Sequence, residues 1–62
     1  MTKKVRVIIV DDSKTGRAFI AAALRRDPDI EITGMAADPL EARDLIIKDQ
    51  PDVITLDIEM PN

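Results

Sequence analysis

Val5 to Val10, "VRVIIV", opens the chain with a β-branched run that breaks off at Asp11-Asp12-Ser13. The run is strand length, and its lack of strict alternation predicts burial on both faces, as in a parallel sheet. Asp12 or Ser13 then caps a helix that extends to about Arg26. Gly16, Phe19, Ile20, Ala23 and Leu24 recur at helical spacing and predict its apolar face. Arg25 and Arg26 suit the negative end of its dipole. Asp27-Pro28-Asp29 stops it, because proline cannot continue the ladder and pushes the residue before it out of the helical region.

"IEITGMA", Ile30 to Ala36, begins with apolar and polar residues alternating, which predicts a strand less buried on one face and placed toward the outside of the sheet. Asp38-Pro39-Leu40-Glu41 combines a capping aspartate, proline at the first helical position and glutamate at the third, so a second helix starts there. Ala42, Leu45 and Ile46 face the sheet, and Gln50-Pro51 ends the helix. Val53 to Leu56 is a third strand, again continuously apolar. Helices between strands imply right-handed crossovers and an α/β fold with a parallel sheet. The alternation by itself leaves open the side of the first strand on which the third one pairs.

Composition narrows the chemistry. The 62 residues are 45% hydrophobic and 34% charged, a globular composition. A chain of this size buries only about 60% of its unfolded surface, so its core is thin. The net charge of −3, without a basic block, favours neither nucleic acid nor an anionic membrane as partner. Lys3, Lys4 and Arg6 precede an apolar run too short for a signal-peptide core or a membrane span, which makes the cytoplasm the expected location. There is no cysteine and no histidine. Disulfides, thiolate nucleophiles, Ser-His-Asp catalysis and the usual zinc ligands are excluded together, leaving carboxylates for any reaction and a hard cation for any metal.

Three carboxylates stand at strand ends. In a flavodoxin-like sheet of order 2-1-3, the connections reverse direction between strands one and three and open a crevice at their carboxyl ends. Asp11, Asp12 and Asp57 fall there. Such a group repels itself unless a cation sits among it, and magnesium, which keeps several waters and takes one or two carboxylates, leaves positions for a phosphoryl oxygen. Asp57 is then the candidate nucleophile. Each residue also has a plainer reading: Asp-Asp-Ser as a cap, Asp57 as a strand end meeting water, Glu59 as a loop residue, Met60-Pro61 as a turn, Lys14 and Arg17 as a solvated helix face. The combination, rather than any one member, is specific.

"VRVIIVDDS" and "ITLDIEMP", with the β-α-β-α-β reading between them, resemble the first half of a bacterial response-regulator receiver domain. Within that family, "VDDS", "DPDIE", "DPLEAR", "PDV" and "LDIEMP" resemble the receivers of chemotaxis protein-glutamate methylesterases. The resemblance implies a flavodoxin-like three-layer fold of which only the first β-α-β-α-β portion is present, one truncated receiver unit over residues 1–62 with strand order 2-1-3. It implies that Asp57 accepts a phosphoryl group from a chemotaxis-type histidine kinase of a two-component system. Asp11, Asp12, Asp57 and the backbone carbonyl of Glu59 would hold magnesium, and Met60 and Pro61 would shape the next loop.

The family fold continues with further β-α units that supply a Ser or Thr and a Lys to the phosphoryl group. None is expected in these residues, so phosphorylation should be impaired. Without histidine, methylesterase chemistry does not reside here either. A second expectation follows from the apolar third strand, which lacks the neighbour it has in the family: self-association into a homo-oligomer through that edge, without signalling. A simple nucleotide binder of the same topology is disfavoured, because "DDSKTG" puts acids where a phosphate-cradling loop would need glycines.

Overall fold

The protein is described by a computed structural model over residues 3–57. It contains β1 (Val5–Asp11), α1 (Lys14–Leu24), β2 (Ile30–Ala36), α2 (Pro39–Asp49) and β3 (Val53–Asp57). All three strands are parallel, in the order β2-β1-β3. The expected alternation is present, and β3 pairs with β1 on the side away from β2.

β1 is the centre of the molecule because helices cover both of its faces. Ile8 and Val10 pack with Ala36 and Ala42, flanked by Leu45 and Ile46. Val7 and Ile9 point the other way, toward Ala21, Ile20, Leu24, Ile30 and Ile32. Ile8, Ile9 and Val10 are fully buried, each contributing about 1.5–3 kcal/mol from side-chain transfer. This two-sided burial is why the run is apolar without alternation.

β2 changes faces partway along. Ile32 pairs with Val7, but Gly34 pairs with Ile8, so the register shifts by one residue at Thr33. The extra residue moves Gly34 and Ala36 to the α2 face, although Ile30 and Ile32 belong to the α1 face. The Thr33 hydroxyl donates to the Val7 carbonyl at 3.4 Å. A methyl on Gly34 would lie 3.2 Å from Leu45 Cδ1, so the glycine lets α2 settle closely on the sheet.

The helix ends follow local chemistry. Ser13 is the N-cap of α1, its Oγ accepting from the Gly16 amide at 3.1 Å. Asp38 caps α2 by accepting from the Glu41 amide at 2.8 Å, with Pro39 at the start of the helix. α2 ends at Gln50, whose φ of 48° lies in the left-handed region, and Pro51 follows. The Arg6 guanidinium donates to the carbonyls of Asp49 and Gln50, the negative end of this helix. Asp52 accepts from the Arg6 amide at 2.9 Å and donates its own amide to the Arg6 carbonyl at 2.8 Å, anchoring the entry to β3.

α1 presents a different face from the expected one. Ala21 is buried and Ile20 and Leu24 are half-buried, while Ala23 is exposed and Phe19 is 77% exposed. The stretch from Ala18 to Leu24 is apolar on every side of the helix, so spacing alone could not set its rotation; the sheet selects the side carrying Ile20, Ala21 and Leu24. The expected face of α2 is the one observed: Ala42 is buried and Leu45 and Ile46 pack on the core. β3 is the outer strand opposite β2 and remains largely exposed, with Leu56 71% exposed. Among the described residues no helix is long and apolar enough to cross a membrane.

Candidate functional site

β1 and β3 end side by side. Their register is unbroken from Val7 with Val53 to Asp11 with Asp57, so the two aspartates lie directly opposite each other at the carboxyl ends of the strands. Register partners in parallel strands share a face of the sheet, and strands lie about 4.8 Å apart. Two residues separate β1 from α1, whose first turn closes the third side. The result is a cavity of about 360 Å³ lined by Asp11, Asp12, Ser13, Gly16 and Asp57.

The three carboxylates on this wall are not equivalent. Asp11 is 3% exposed, the only buried charged side chain among the described residues. Its Oδ1 accepts from the Ser13 amide at 2.8 Å, and its carboxyl group lies against the open side of Gly16. Asp12 and Asp57 are exposed toward the cavity mouth. Among the described residues no three His, Cys, Asp or Glu side chains are gathered closely enough to hold a metal ion by themselves. Asp11, Asp12 and Asp57 therefore share a cavity without forming a three-carboxylate cage. Glu59, Met60 and Pro61 lie outside the described residues.

The donor set fits a hard cation that needs few protein ligands. It is oxygen only, and magnesium retains several waters while taking one or two carboxylates. Among the described residues neither Asp12 nor Asp57 has a main-chain bond like the one that engages Asp11, and the first turn of α1 brings its positive end to the same wall.

Arg17 contributes a feature that the sequence reading assigned to a solvated face. It is half-buried, and its guanidinium donates to the main-chain carbonyl of Asp11 at 2.7 Å, tying α1 to the last residue of β1. The only sequence signal for this bond is an arginine on the first turn after an acidic strand end. Gly16 likewise counted as part of an apolar face and instead lines the cavity.

A parallel 2-1-3 sheet with acidic residues at the ends of its two paired strands is the arrangement of receiver domains, and the comparisons agree. The response regulator receiver domain family matches residues 7–62, and the chain belongs to that family. It is 64% identical over 59 residues to a protein-glutamate methylesterase/protein-glutamine glutaminase from Caulobacter vibrioides, covering 95% of this chain and 17% of that protein. The corresponding protein of Gluconobacter oxydans is 60% identical over 97% of this chain and 17% of its own length. The chain thus spans less than a fifth of these curated relatives. The crystal structure of the response regulator domain of Thermotoga maritima CheB superposes with a TM-score of 0.88 at 45% identity, over 97% of this chain and 45% of that one.

Proposed function

We propose that residues 1–62 form one receiver unit acting as the phospho-acceptor portion of a chemotaxis response regulator in the cytoplasm. Asp57 takes a phosphoryl group from the phosphohistidine of a chemotaxis-type histidine kinase. Asp11, Asp12, Asp57 and the Glu59 main-chain carbonyl form the magnesium site. The observation that carries this reading is the pairing of Asp57 with Asp11 at the strand ends, on a cavity that the start of α1 also lines. Kinship with receivers of methylesterases supports it.

A carboxylate oxygen of Asp57 forms the new bond to phosphorus as the P–N bond to the donor imidazole breaks. The electron pair stays on the nitrogen, which takes a proton, and an acyl phosphate remains on Asp57. Bound magnesium supplies neutralisation of the phosphoryl oxygens and in-line orientation, the two main requirements of phosphoryl transfer. Asp12 fixes negative charge at the cavity mouth, and Asp11 adds its charge from the cavity wall. As a separate 62-residue chain the unit phosphorylates poorly, because the receiver resemblance assigns the hydroxyl and lysine that grip the phosphoryl group to later strands.

Intact-mass measurement of the purified chain with magnesium and a small acyl-phosphate donor tests this reading. A phosphoryl adduct that disappears in Asp57→Asn, or on chelation of magnesium, is expected. An adduct that persists in Asp57→Asn refutes Asp57 as acceptor.

Self-association is proposed as a second property of the separate chain. Ile54 and Leu56 line an apolar groove with Val10, Ala42, Ile46 and Ile47, next to the edge of β3 that pairs with no other strand among the described residues. An open apolar edge of this kind pairs readily with another copy. Sedimentation across a concentration series is expected to show mass rising with concentration and falling in Leu56→Lys; a monomer at all concentrations would exclude it.

A further inference from the structure

Asp11 is buried, yet space remains beside it only because residue 16 has no side chain. A methyl group built on Gly16 would stand 2.8 Å from Asp11 Cγ, 3.0 Å from Oδ1 and closer still to Oδ2. Carbon and oxygen do not approach this closely without displacement, and α1 cannot retreat easily: Ser13 caps it and Arg17 ties it to the Asp11 carbonyl. The carboxyl group is the part able to move. Asp11 is buried apart from the cavity it lines, so that cavity, which Asp12 and Asp57 also line, is the open side into which a side chain at position 16 drives the carboxyl group.

We infer that Gly16 is a positioning residue that holds the Asp11 carboxylate back against the first turn of α1, and that it thereby sets the divalent-cation affinity of the cavity. This rests on the magnesium site proposed above and deepens it. The retracted position accounts for the lack of a three-carboxylate group among the described residues, although three aspartates line one wall. Retraction has a clear electrostatic use. The Ser13 amide gives the Asp11 charge a partner of its own when no cation is present, at the expense of affinity when one is.

The test is a titration of the full chain with manganese, followed by electron paramagnetic resonance of the free ion, with circular dichroism on each variant to establish folding. Gly16→Ala is expected to bind manganese about tenfold more tightly, within the range over which groups that orient metal ligands tune affinity. Adding Asp11→Asn to Gly16→Ala is expected to remove that gain, and to cost several-fold more there than in the Gly16 chain. This coupling separates positioning of Asp11 from a general effect of helix propensity at residue 16. Equal or weaker binding by a folded Gly16→Ala chain, or equal costs of Asp11→Asn in the two backgrounds, overturns the inference. Asp12→Asn identifies the other failure: if it leaves manganese binding intact, the ion is held elsewhere and the site reading itself falls. Should Gly16→Ala not fold, a nuclear Overhauser contact between the Asp11 β protons and the Gly16 α protons in the unaltered chain still decides, since its absence removes the retracted carboxylate.

Discussion

Thr55 sits in β3 opposite Ile9, and its Oγ1 is buried without a hydrogen-bond partner among the described residues. Its backbone belongs to the β1–β3 ladder, and Oγ1 is the one buried side-chain polar atom without a partner among the described residues. Thr55→Val replaces that hydroxyl with a methyl of nearly the same shape. An unpaired buried hydroxyl costs about 1–3 kcal/mol in mutational series. The residue as a whole is only half-buried, so the lower end applies and a gain of about 1 kcal/mol is expected. For a domain this small, that raises Tm by about 4–8 °C. Thermal melting by circular dichroism at fixed protein concentration measures it. Thr55→Ser is the control: it keeps the hydroxyl, loses the methyl and should melt below the parent chain. A Thr55→Val chain that melts lower than the parent would show that the hydroxyl does have a partner and would refute the reasoning.

Asp38→Ala removes the acceptor for the Glu41 amide and is expected to cost about 1 kcal/mol, read from urea unfolding as a lower midpoint at unchanged slope. Gln50→Gly relieves a side chain at φ 48° and should stabilise by up to about 1 kcal/mol, because glycine populates the left-handed region freely. A lower melting temperature would mean that the Gln50 side chain holds the α2 terminus in some other way. Arg17→Met keeps most of the packing but loses the bond to the Asp11 carbonyl, and the partly exposed site sets the expected loss at about 1 kcal/mol. Hydrogen exchange should then accelerate at the start of α1 more than at α2; uniform acceleration would contradict a local tie.

Asp38 and Pro39 could be read directly because capping acts over three or four residues, and the structure uses both as expected; of the two candidates for the α1 cap, Asp12 and Ser13, it uses Ser13. The bounds of β2 were equally clear from Ile30 and Ile32 against Glu31 and Thr33. The change of face at Thr33 was not. Gly34 is the one local hint of a bulge there; the shift puts Gly34 and Ala36 against α2 while Ile30 and Ile32 meet α1. Phe19 was misplaced for a related reason. An apolar residue among apolar neighbours carries no directional signal, and only the distance between helix and sheet selects Ala21 over it.

At the site, the sequence by itself determined which residue types reach the carboxyl ends of the strands: Asp11 and Asp12 after one apolar run, Asp57 after another, with no histidine or cysteine to compete. Strand ends and helix starts are written in short-range patterns of hydrophobicity and capping, so this much follows from neighbours along the chain. The alternation of elements left the side of β3 open; the receiver resemblance implied the order 2-1-3, and the structure shows β3 joining β1 opposite β2, which sets Asp57 against Asp11. The tertiary structure alone decided the finer contacts: that Arg17 grips the end of β1 and that Gly16 lies under the Asp11 carboxylate. Those relations depend on how a helix settles on a sheet, and angstroms of packing between distant segments leave no periodic trace in the order of residues.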